Sequence, residues 1–66
     1  MINTFYIANN KTKQASILQT EKTRDDIWLE VENSVDIVKS CPSTEHAQKL
    51  IVSMDMEYVP YDTFTD

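Results

Sequence analysis

Cys41 and His46 stand five residues apart across Pro42, and they are the only cysteine and the only histidine in the chain. Brought within reach of each other they would form a thiol–imidazole pair, in which the imidazole takes the proton and the thiolate attacks. Such a pair also needs a group that orients the imidazole and donors for the developing oxyanion. The sequence offers no third member, and with no glycine it lacks the residue that shapes most tight pockets. Cys41 therefore reads as a small buried apolar residue, and His46 as part of the polar first turn of a helix. Paired carboxylates are the other chemistry in view, as Asp25-Asp26 and as Glu30 with Glu32. Glycoside hydrolysis would require a cleft that holds two acids on either side of one bond. A chain of 66 residues has little material for one, and these acids read as surface groups. Cys41 and His46 supply two of the four ligands a structural zinc takes. No spaced Asp/Asn loop with a glycine resembles a calcium site, and a glycine-rich phosphate cradle is excluded outright. The expectation is a protein that is not an enzyme and uses no metal or cofactor.

Charge layout is less generic than any of these motifs. Residues 1–24 carry Lys11, Lys13, Lys22 and Arg24 against Glu21, a net +3, whereas residues 25–66 carry ten acids against Lys39 and Lys49, a net −8, together giving the −5 of the chain. The four cations, with Tyr6 nearby, could touch nucleic acid, but four phosphate contacts bind weakly and the acidic body repels phosphate. Direct nucleic-acid binding is not expected. The acidic body instead suits a basic site on another protein. Asp25, Asp26, Trp28, Glu30, Glu32, Asp36, Glu57, Tyr58 and Asp62 are the candidate partner-binding residues, Trp28 as the aromatic anchor. Imitation of duplex DNA, with a charge about every 1.7 Å of axis, would require Asp55 and Asp66 to join that surface.

These side chains need elements to hold them. Asn9-Asn10 is the clearest turn between "TFYIA" and "KQASILQ", two short β-prone runs, and a first hairpin is expected there. The segment "DDIWLEVENSVDIV", residues 25–38, fits two periods. As a helix, Ile27, Val31, Val35 and Val38 follow i, i+4, i+8, i+11, with Thr23 and Asp26 resembling a capping box. As two strands about a turn at Asn33-Ser34, Leu29 lies opposite Ile37 and Val31 opposite Val35. Its Ile, Trp and Val content favours strands, so a second hairpin near 27–39 is the expectation. Glu30 and Glu32 would then share one strand face about 7 Å apart. A helix near 43–55 follows, capped by Ser43 or Thr44, with Ala47, Leu50, Ile51 and Met54 as its apolar stripe and Asp55 at its end. "MEYVPYDTFTD" reads as an edge strand interrupted at Pro60, with residues 58–66 as an acidic tail that leaves Tyr58, Tyr61 and Phe64 exposed.

The fold class expected is α+β: one small domain with an antiparallel sheet of about four strands and one helix packed across one face. The alternative is a hairpin followed by two helices. A chain this short buries only about 60% of its unfolded surface, so a second copy or a bound partner is expected to add stability. The opening "MINTFYIANNKTK" does not resemble a secretory signal, no window approaches a membrane span, and an unpaired cysteine suits a reducing compartment. A cytoplasmic protein is expected. Size and charge together suggest a phage or mobile-element product that inhibits a nucleic-acid-handling host machine, in the host cytoplasm. The rival reading is a self-associating structural or assembly subunit, a homo-oligomer.

Overall fold

A computed structural model describes residues 1–65; Asp66 lies outside the described residues. The chain is α+β, with strands β1 (Asn3–Asn9), β2 (Gln14–Thr20), β3 (Ile37–Cys41) and β4 (Glu57–Tyr58) and helices α1 (Arg24–Val31), α2 (Thr44–Ser53) and α3 (Asp62–Thr65). The four strands form one sheet in the order β3-β1-β2-β4. β1 pairs antiparallel with β2 and with β3, and β4 runs parallel to β2.

The first hairpin forms as the sequence indicates, in register from Asn3 opposite Thr20 to Asn9 opposite Gln14. Its turn chemistry differs from the expectation at Asn9-Asn10. Lys13 is the residue with positive φ, at 60°, and Asn9 serves as a side-chain brace. The Asn9 Oδ1 accepts from the N–H groups of Lys11 (2.8 Å) and Thr12 (3.3 Å), while its Nδ2 donates to the Ser34 carbonyl at 2.7 Å. The amide thus holds the turn together and ties it to the segment entering β3.

The second hairpin does not exist. Residues 25–31 lie in α1, and only Ile37 onward is strand. Thr23 and Asp26 close a capping box: the Asp26 N–H donates to the Thr23 hydroxyl, and the Thr23 N–H donates to the Asp26 carboxylate, both at 3.3 Å. Asp25 and Asp26 also sit at the positive end of the helix. Composition favours strands, but the sheet already has its central strand. In β1, residues 4–8 are all buried, so Phe5 and Ile7 on one face need a cover. A helix presents Ile27 and Val31 to that face, with Val35 and Val38 completing the cluster.

The other face is covered as well, which corrects the expected one-sided packing. Tyr6, Ala8 and Ala15 pack against Ala47 and Ile51 of α2. Chain order explains the two layers. The β2-to-β3 crossover passes β1 in one direction, and the β3-to-β4 crossover passes back in the other. Right-handed crossovers taken in opposite directions place their helices on opposite faces. α2 begins at Ser43, whose hydroxyl accepts from the His46 N–H at 3.2 Å. It ends in a Schellman motif: Asp55 takes φ 55°, the Met56 N–H reaches the Ile51 carbonyl at 2.9 Å, and the Asp55 N–H reaches the Val52 carbonyl at 3.1 Å. With no glycine to use, the chain places Asp in the left-handed conformation.

Within residues 58–65, Val59 and Phe64 are buried and Tyr61 is half-buried, and Phe64, with only 4% of its surface exposed, joins the α1-side core with Val59, which corrects its expected exposure. None of the helices is long and apolar enough to cross a membrane among the described residues.

Candidate interaction surface on the first helix

The outward side of α1 carries Asp25, Asp26, Glu30 and Glu32, all exposed. A helix turns 100° per residue, so Asp25, Asp26 and Glu32 fall on the half opposite Ile27 and Val31, and Glu30 lies at its border, about 60° from Ile27. Leu29 sits among them with 71% of its surface exposed. From Asp25 to Glu32 the axis advances about 10 Å at 1.5 Å per residue. The gaps along that axis are uneven, about 1.5, 6 and 3 Å, and the four are spread around the helix, so they form an acidic patch and not a row at the ~3.4 Å charge spacing of a DNA strand. The face therefore differs from the strand face expected, in which Glu30 and Glu32 alone were adjacent and Leu29 pointed inward.

Two of these acids are engaged in structure. Asp26 belongs to the cap. Glu30 accepts from Lys22 Nζ at 2.8 Å and from the Tyr61 hydroxyl at 3.1 Å. The Lys22 hydrogen bond, then that of Tyr61, holds the Glu30 carboxyl below its ordinary value. Burial, with the Glu30 carboxylate beside it, pushes the Tyr61 phenol up to about 12. Because Tyr61 leads into α3, this pair fastens the C-terminal helix to α1. Asp62, in the first turn of α3, is exposed and joins the same side of the molecule.

The remaining candidates separate. Trp28 is half-buried against the α1-side cluster, as is Tyr61, so the indole is a partly covered core residue and not a free anchor. Asp36 accepts the Asn10 N–H at 3.1 Å beside the hairpin loop. Glu57 lies next to that loop, its N–H donating to the Lys13 carbonyl at 2.7 Å. Tyr58, 60% exposed, falls on the opposite face in a groove beside α2. Asp55 is spent on the end of α2. Leu29 is the member that the sequence reading missed. Its helical position, directly between Asp25 and Glu32 on the side away from Ile27, was the available signal.

The basic residues do not form one patch. Lys11 and Lys13 lie in the loop before β2, and Lys22 and Arg24 lie beyond its far end. Seven residues of strand hold the pairs about 20 Å apart. Lys22 is bound to Glu30, Arg24 Nε donates to the Val38 carbonyl at 2.6 Å, and Tyr6 is buried. Cys41 is buried at the end of β3, and burial pushes its thiol up, away from the thiolate a nucleophile requires. His46 is exposed on α2. Among the described residues no three His, Cys, Asp or Glu side chains gather as a metal-holding group.

Comparison with protein-family models, with curated proteins and with solved structures finds no match to this chain.

Proposed function

We propose that this chain is a non-enzymatic acidic binding protein whose α1–α3 side docks on a basic surface of a larger protein. The observation that carries the reading is Leu29, an aliphatic side chain left 71% exposed among four carboxylates on a helix whose opposite side is fully used by the core. Exposed charge alone is what a small acidic domain needs for solubility. An exposed leucine within it adds an apolar contact that a partner can desolvate, with the acids steering the approach. An acidic side of this kind suits a basic site that otherwise receives nucleic acid, and the reading extends to an inhibitor that competes for a nucleic-acid-handling machine in the cytoplasm of a host cell.

The test is capture of partners from native cell extract at low salt, elution with a salt step, and titration of the isolated partner at several salt concentrations. Affinity is expected to fall steeply with salt, to drop for Leu29→Ala, and to drop further for Asp25→Lys with Glu32→Lys. Affinity that is indifferent to salt and to all three changes overturns the reading.

A further inference from the structure

The cover over the α1 face of the sheet has two parts. α1 packs over β3, and the region over β2 falls to the C-terminal segment, whose Val59 and Phe64 complete the cluster with Phe5 and Ile7. Ser16 lies on this part of the face, opposite Ile7 in the hairpin register. It adjoins Ala15, whose carbonyl takes the Val59 N–H at 2.8 Å. Ser16 is 1% exposed, and its hydroxyl has no hydrogen-bond partner. A buried hydroxyl left unpaired is destabilising, and contact with water would relieve it.

The segment beyond Val59 is tied down lightly. Pro60 has no N–H to offer β2. The Thr63 N–H donates to the Pro60 carbonyl and the Phe64 N–H to the Tyr61 carbonyl, both at 3.0 Å, so these bonds are local. Among the described residues a single hydrogen bond joins residues 60–65 to the rest of the chain, from the Tyr61 hydroxyl to Glu30 at 3.1 Å, at an exposed site. Burial of Phe64 supplies most of the remaining hold.

We propose that residues 60–65 are a strap that opens as one unit about Pro60 while the sheet, α1 and α2 stay folded, the Ser16 hydroxyl favouring the open state. Opening brings that hydroxyl to water and breaks no strand pairing, since β4 ends at Tyr58. A helix of four residues does not persist once detached, so α3 unwinds as it leaves. Closed, the strap sets Asp62 on the side that carries the α1 acids. Open, it bares an apolar groove on β2 with Leu18 and Ser16 in its floor and Glu30 at its rim. The strap thus decides which of two surfaces this side presents, and the open form is a minor state that a ligand can select. This switch is independent of what α1 binds.

Amide hydrogen exchange of the whole chain at several urea concentrations tests it. The Thr63 and Phe64 amides are expected to exchange through an opening that depends weakly on urea, whereas those of β1 wait for global unfolding and depend on it steeply. Ser16→Ala removes the unpaired hydroxyl and is expected to slow exchange at Thr63 and Phe64 about tenfold. Tyr61→Phe, which frees the strap from Glu30, is expected to speed it several-fold. Thr63 and Phe64 amides that share the urea dependence of β1 overturn the proposal, as does exchange there at the rate of an unstructured peptide. Exchange at these two amides that Ser16→Ala leaves unchanged overturns it as well, because the hydroxyl would then not lie beneath the strap.

Discussion

The Glu30–Tyr61 contact shows how single side chains here combine structure and titration. Glu30 is held below its ordinary 4.5 by Lys22 and Tyr61, so its contribution to stability is full above that pH and is lost as pH falls through the lowered value. Tyr61 is shifted the other way, from 10.0 to about 12. Its contribution is full below pH 10.0 and is lost as pH rises toward about 12, where the phenolate would face the carboxylate. Burial raises the Tyr6 phenol as well, so a spectrophotometric titration is expected to show late-ionising tyrosines, one of them near pH 12, and Tyr61→Phe is expected to reduce the late amplitude by one tyrosine. A Tyr61→Phe titration with the late amplitude unchanged would place Tyr61 away from Glu30. The ion pair with Lys22 is exposed on both partners, and pairs of that kind contribute little stability. Its role is to position Glu30 and, through it, the entry to α3.

Among the elements, α3 is the shortest helix and the most consequential for its length. Four residues form it, yet Phe64 fills the space between α1 and the sheet with Val59 and Tyr61. Phe64→Ala is expected to cost about 3–5 kcal/mol. A domain of this size has in total only about 3–10 kcal/mol, at roughly 0.05–0.15 kcal/mol per residue. The variant should therefore lose most of its stability in urea denaturation, whereas an unpacked tail would show almost no change. α1 teaches a related lesson. The apolar residues of 25–38 were legible as an i, i+4, i+8 series, and Thr23 with Asp26 as a cap. Residue preference favours strands there because propensity describes a segment alone. Once β1 presents an apolar face on both sides, Phe5 and Ile7 demand a layer, and a capped helix supplies it.

For the molecule as a whole, the layered arrangement sets an order of stability. β1 is flanked by β2 and β3 and covered by α1 and α2. Its amide protons are expected to exchange last with solvent, and those of β4 and α3 first. Amide hydrogen exchange that protects β4 as strongly as β1 would contradict this layering. The same layering distributes charge: much of the acid past Arg24 falls on the α1–α3 side, while Asp36, Glu45, Asp55 and Glu57 lie elsewhere.

By itself, the sequence determined the fold class, the first hairpin, and α2 with a cap at Ser43 or Thr44 and its end at Asp55. These follow from contacts within a few residues, where spacing and side-chain chemistry act directly. Tertiary structure alone decided that residues 25–31 are helix, that Phe64 is core, that Trp28 is half-covered, and that Tyr58 faces away from the acids. Each depends on which sheet face lies nearby, and that is set by the direction in which two crossovers pass the central strand.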